Sequence, residues 1–188
     1  PYIGPISISA TSVLKAASFS SDPNITTGFV NFSTYFINVS HSIPVVSIAA
    51  NQLTTLANGD GNLVPFGSFE YFNMNKQRTT TGYGEFNRHG QDSWANDQRS
   101  IDYVMYDELG YNYALQEQFF NLTPRDEFQR IILRAAGDDN YPAAHHTSNT
   151  GSAHLRDAYV HNLAKAGNLN LDVRVGTKAV VYMNGEYW

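Results

Sequence analysis

Along this chain apolar and polar residues alternate in short runs, the period of half-buried strands, and only one stretch carries clear helical spacing. In "PISISATSVLKAASF", Ile6, Ile8 and Ala10 share one face and Val13 to Phe19 follow. "SSDPN" is a turn cluster and "GFVNFSTYFINV" a second β run, so residues 1–39 read as the last strands of a small β-sandwich. His41-Ser42 marks a junction, and "IPVVSIAA" predicts a buried strand at Val45 to Ile48. The density of Gly, Asn and Asp from Asn51 to Pro65 predicts a loop. "FGSFEYFNMN" alternates aromatic with small or polar residues and predicts a strand from Phe66. Lys76 to Ser100 is polar, contains glycine and is too long for a simple turn, which makes it the expected functional loop. Ile101 to Tyr106 returns to strand pattern, "DELG" is a turn, and "PRDE" at 124–127 predicts a helical turn before a strand in "RIILRAAG". "AAGDDNYPAAHHTSNTGS" is a second long polar loop.

The helical stretch is "AHLRDAYVHNLAKAG", with Ser152 as its expected N-cap and Gly167 as its C-terminal cap. Its spacing places Leu155, Ala158, Tyr159 and Leu163 on one face. Ala179 to Met183 then predicts a strand, and Asn184-Gly185 suits the two positive φ angles of a type I′ turn. Glu186-Tyr187-Trp188 begins the return strand. A chain that opens on Pro1 and stops in mid-hairpin is expected to be a fragment of a longer protein. The expected core comprises Val45, Val46, Ile48, Phe69, Tyr71, Ile101, Tyr103, Ile131, Leu133, Leu155, Tyr159, Leu163, Ala179 and Val181.

Composition narrows the function classes. At 188 residues and 42% hydrophobic content the chain is able to bury a substantial core. With 12 basic and 17 acidic residues, a net charge of −5 and no basic stripe, nucleic acid is not an expected partner. No apolar run is long enough to span a membrane. The absence of cysteine removes disulfides, thiol catalysis and zinc-thiolate sites. A surface with 12 Tyr, 11 Phe and little Lys is neutral and hydrogen-bonding, as in many secreted β-rich proteins.

Motif chemistry narrows them further. The helical His154 and His161 are seven residues apart, about 10 Å along the axis, which is too far for one ion. His145-His146 complete no zinc spacing with them, so the histidines read as solvated or capping groups. No nucleophile elbow, Walker loop, dinucleotide fingerprint or EF-hand loop occurs. Carboxylates for a glycosidase pair are available at Glu70, Glu85, Asp92, Asp97, Asp102, Asp138, Asp139 and Asp157, and spacing leaves that class open. The densest constellation is "RHGQDSWANDQRS", Arg88 to Ser100, with two Arg, a His, two Asp, a Trp and a Gly. It reads either as a solvated loop with internal salt bridges or as an anion site, with guanidinium forks and a glycine that admits phosphate to the backbone.

Taken in order, "IPVVSI", "HGQDS", "QRS", "DELG", "LRAAGDD", "LRDAYV" and "VVYMNGEYW" resemble the spore coat protein H (CotH) kinase-like family, from about Ile43 to Trp188. "TSVLKAASF" and "STYFI" in the first 39 residues are similar to the end of a chitobiase/hexosaminidase C-terminal-type β-sandwich. The resemblance implies an α+β, β-rich fold: a β-sandwich remnant over 1–39 and the N-terminal half of a divergent atypical-kinase-like domain over 43–188. It implies ATP and Mg²⁺ or another divalent cation as cofactors, a secreted or surface protein as phosphoryl acceptor, and an extracellular or cell-surface bacterial setting. Arg99 stands where the family has a Lys in a Q-K-S element, and Asn87 where it has an Arg, with Arg88 beside it. The nucleotide-contacting candidates are accordingly Arg99, Arg88, His89, Gly90 and Ser93. The acidic residues for metal and base are expected beyond Trp188, so no catalytic residue or metal ligand is assigned here. The alternative on the same scaffold is a non-catalytic module for surface attachment, with assembly partners at the cell surface.

Overall fold

The structure, a computed structural model, describes residues 2–137 and 155–188. The expected cap Ser152, the histidines His145, His146 and His154, and the carboxylates Asp138 and Asp139 lie outside the described residues.

The chain is β-rich. A seven-stranded mixed sheet runs in the order β11-β10-β3-β4-β5-β6-β9. Its strands are β3 (Val45–Ala50), β4 (Phe66–Phe72), β5 (Arg78–His89), β6 (Ser100–Met105), β9 (Arg130–Leu133), β10 (Val180–Met183) and β11 (Glu186–Tyr187). All neighbours are antiparallel except β10 and β3, which pair Val180 with Val45 in parallel. Two small ribbons sit outside it: β1 (Ser12–Ala16) with β2 (Asn31–Tyr35), and β7 (Leu115–Gln116) with β8 (Glu127–Phe128).

Pairing register sorts the side chains by face, because directly opposed residues project to the same side. One face carries Val46, Ile48, Phe69, Tyr71, Phe86, Tyr103, Ile101, Met105, Ile131 and Leu133, all buried in the main core. Helix α1 (Leu53–Ala57) closes it with Leu53, Leu56 and Ala57, and Leu115, Phe119 and Phe128 from the β7–β8 region complete the layer. The aromatic stack continues through it: Phe69 lies 5.2 Å from Tyr103, and Tyr71 meets Phe119 edge-on at 4.9 Å. The β1–β2 ribbon covers part of the opposite face, where Phe36 packs edge-on against Phe72 (5.1 Å) and Tyr182 (4.9 Å). Phe32 meets Tyr83 there at 5.5 Å.

Several expectations need correction. The region from Lys76 to Ser100 is not one long loop, since Arg78–His89 forms the twelve-residue strand β5. Its core-facing positions include Gly82 and Gly84, which leave no apolar alternation to read. Leu53–Ala57 is helical where a loop was expected, held by its three buried apolar residues. "PRDE" makes no helical turn and leads directly into β8. The expected helix is present as α2 (Arg156–Ala166), but Leu155, Tyr159 and Leu163 are 43%, 64% and 58% exposed and form no part of the core. Among the described residues of the helix Ala164 alone is buried, and Asp157 forms a solvent-exposed ion pair with Arg134. At its end Asn168 (φ 50), not Gly167, takes the left-handed conformation. Ala179 and Val181 of the expected core are partly buried and pack against it. Among the described residues no helix is long and apolar enough to cross a membrane.

Candidate anion site around Trp94

Alternation along β5 sends Arg88 to the core-side face and His89 to the opposite one, since Arg88 pairs with Ile101 and His89 with Ser100. The strand ends at Gly90, whose φ of +100 reverses the chain. A β-carbon there would lie 2.6 Å from the Ser93 hydroxyl, so the turn closes only around glycine. A short 3-10 turn, Asp92–Ala95, then carries Trp94 into the core cluster, where it is buried.

Two arginines converge on that indole. The Arg88 guanidinium lies 5.4 Å from the ring centre and the Arg99 guanidinium 5.8 Å. Arg88 donates from Nε to the Gly90 carbonyl (3.1 Å) and from Nη2 to that of Gln91 (3.4 Å). Arg99 donates from Nε to the Trp94 carbonyl (2.7 Å) and from Nη1 to those of Ala57 (3.0 Å) and Asp97 (3.4 Å). Among the described residues neither arginine pairs with a carboxylate, although Asp92 and Asp97 stand in the same loop.

The Gly59-Asp60-Gly61 segment after α1 forms the other wall. A β-carbon at Gly59 would sit 3.5 Å from Arg99 Nη2, and one at Gly61 would sit 2.8 Å from Arg88 Cδ. The same position at Gly61 is 3.5 Å from Trp94 Nε1, a buried N–H with no hydrogen-bond partner among the described residues. Asp60 turns its carboxylate to the Asn62 backbone N–H (3.4 Å). The arrangement therefore gathers two cations and one unsatisfied donor against a pair of glycines, a donor set suited to an anion.

Of the sequence-selected residues, Arg88 and Arg99 come together, Gly90 and Ser93 form the adjoining turn, and His89 lies on the other side of the sheet. There it neighbours Asp102, which holds Arg130 through Nε at 2.9 and 2.8 Å and through a further Nη2 contact. Burial pushes the His89 imidazole below its ordinary value; Asp102 opposes this, while Arg130, Arg134 and Arg174 add to it. Sequence reading passed over the wall at Gly59 and Gly61 because that segment read as an ordinary polar loop, and it gave Trp94 no role. The two glycines flanking Asp60 were the only signal. Of the carboxylates left open for glycosidic chemistry, Glu70 is enclosed beneath the β1–β2 ribbon and Asp102 is held by Arg130.

No protein-family model, curated protein or solved structure matches the chain.

Proposed function

We propose that this chain is the N-terminal portion of a CotH-type kinase-like domain of a secreted or cell-surface bacterial protein, and that the Arg88–Trp94–Arg99 site receives the phosphates of ATP. What supports the reading most is the charge arrangement. Among the described residues, two guanidinium groups flank one indole with no carboxylate on either, beside a buried indole N–H that lacks an acceptor. Like charges gathered in this way favour an anion as the missing partner. In the intact domain, ATP would supply the phosphoryl group and a secreted or surface protein would accept it. Within this chain Arg88 and Arg99 would hold and orient phosphate oxygens, and Gly59 and Gly61 would admit them close to the backbone. A divalent cation needs carboxylate donors. Among the described residues no three His, Cys, Asp or Glu converge, so no ion is assigned to these side chains.

A specific observation favours a second reading, a non-catalytic attachment or assembly module on the same scaffold. Among the described residues the five donor contacts from Arg88 and Arg99 all go to backbone carbonyls, four within the loop itself and one, to Ala57, tying it to α1. Calorimetric titration with ATP and with inorganic tripolyphosphate separates the two. Under the phosphate reading both ligands bind, and Arg88→Ala weakens each by about 1.5–3 kcal/mol, the contribution of a charge-assisted hydrogen bond. Under the structural reading neither ligand binds, or Arg88→Ala leaves the affinity unchanged.

A further inference from the structure

A shallow depression of about 530 Å³ lies between the loop-closed end of the β1–β2 ribbon, where Ala16 pairs with Asn31, and the turn after β6. Its lining runs from Ala16 to Ser18 and takes in Phe29, Asn31, Gly110 and Tyr111. None of these side chains is charged, in a molecule of net charge −5. The size falls within the usual range for small-molecule sites, about 300–1,000 Å³.

The two rings are held in place by identifiable contacts. Tyr111 stacks on Tyr83 at 6.2 Å with planes 16° apart, and Tyr83 in turn meets Phe32 of β2. The Tyr111 hydroxyl donates to Asn31 Oδ1 at 3.3 Å, a bond that engages the amide's oxygen and not its N–H groups. Among the described residues that amide nitrogen has no partner, and neither does the Ser18 hydroxyl. Phe29 is 55% exposed, and its ring rests against Gly110. Gly110 has φ +83, and a β-carbon there would lie 2.9 Å from the Phe29 ring, so this glycine sets where the ring stands.

We propose that this depression binds a neutral oligosaccharide. A pyranose ring has one face of C–H groups and a rim of hydroxyls that both donate and accept hydrogen bonds. Exposed Phe29 and the braced Tyr111 supply flat apolar surfaces for the first. The free Asn31 amide donors, the Ser18 hydroxyl and the Tyr111 oxygen supply mixed donors and acceptors for the second. A proline-rich peptide also uses aromatic grooves, but its backbone offers only carbonyl acceptors at the prolines and makes no use of the acceptors here. The absence of charge suits an uncharged ligand and argues against phosphate, nucleotide or acidic peptide.

The test is calorimetric titration of the whole chain with cellotetraose, with the β-1,4 tetramer of N-acetylglucosamine, and with a polyproline decapeptide. At least one tetrasaccharide is expected to bind. Phe29→Ala should weaken it about tenfold, the scale of losing one aromatic contact, while Phe29→Tyr retains it. Asn31→Asp, which keeps an acceptor for Tyr111 but removes the amide donors, should weaken binding with an unchanged thermal midpoint. The proposal is overturned if neither sugar binds, if Phe29→Ala binds as tightly as the unaltered chain, or if only the decapeptide binds.

Discussion

Glu70 stands in the middle of β4 and is 1% exposed, a burial that a carboxylate tolerates only when its oxygens are fully partnered. Oε2 accepts the Thr34 backbone N–H at 2.9 Å and the Thr34 hydroxyl at 2.5 Å, and that hydroxyl also meets Ser47 at 2.7 Å. Oε1 accepts from Arg78 at 2.7 Å, whose own side chain is 41% exposed and so keeps water as an alternative. Glu70→Ala therefore strands the buried Thr34 groups more than it strands the arginine. The expected loss is about 1–3 kcal/mol, the penalty for unsatisfied buried polar groups, read as a lower urea midpoint. A variant as stable as the parent would mean that the network contributes nothing net. His89 yields a prediction of another kind. Burial, reinforced by Arg130, Arg134 and Arg174 against the pull of Asp102, holds its folded pKa below the unfolded value of about 6.5. The fold thus binds fewer protons at this site than the unfolded chain does. Its contribution to stability is complete above about pH 6.5 and is lost as the pH falls below it. His89→Asn should flatten the decline in stability between pH 7.5 and 5.5, and parallel declines in the two proteins would acquit His89.

At the scale of elements, strands β4 and β5 are built to approach their neighbours closely. Gly67 and Gly84 face each other across the pair, and a β-carbon on either would lie 2.0 Å from a backbone carbonyl oxygen, that of Ala49 or Val104. Gly82 lies beneath the Met105 sulfur and Leu115 in the core layer. Gly84→Ala has no flexible side chain to push aside and should cost about 1–3 kcal/mol or more by overpacking, measurable as a shifted midpoint at constant denaturant slope. These glycines also explain what the sequence hid. A strand is legible when its inward positions are apolar, as in "VVSIAA" of β3, "IDYVM" of β6 and "RIIL" of β9. The turn Asn184-Gly185 was equally plain, with φ of 52 and 89, because few other dipeptides adopt it. β5 places Thr80, Gly82 and Gly84 on its core-side face, so its hydrophobic period is erased although it pairs along both β4 and β6. α1 is five residues inside a Gly- and Asn-rich segment, too short for periodicity to register. For α2 the apolar stripe is legible in the sequence, yet amphipathicity does not say which face is buried. Here the buried position is Ala164, outside the apolar stripe. At the arginine site the sequence revealed the charges, whereas the choice between carboxylate and carbonyl partners depends on loop geometry that no spacing records.

Across the whole molecule, the question is how the first forty residues belong to the rest. The β1–β2 ribbon is hydrogen-bonded as a sheet of its own, and a two-stranded ribbon alone is marginally stable at best in water. What holds it is one flank of the main sheet, through Thr34 on Glu70, Phe36 between Phe72 and Tyr182, Phe32 on Tyr83, and Lys15 on Asn51 at 3.2 Å. The chain leaving the ribbon is pinned as well, with His41 bonded to the Tyr182 hydroxyl at 3.0 Å. These contacts reach β3, β4, β5 and β10, so the ribbon is expected to lose its structure when the sheet does. Calorimetry should then show one transition, with the van't Hoff and calorimetric enthalpies equal. The coupling itself is measurable in a double-mutant cycle of Thr34→Val and Glu70→Gln. Residues in one buried network couple by about 0.5–3 kcal/mol, whereas independent sites add to within a few tenths. A coupling in that range together with a single transition makes ribbon and sheet one cooperative unit. Two transitions with additive mutations would make the ribbon a separate module resting on the sheet.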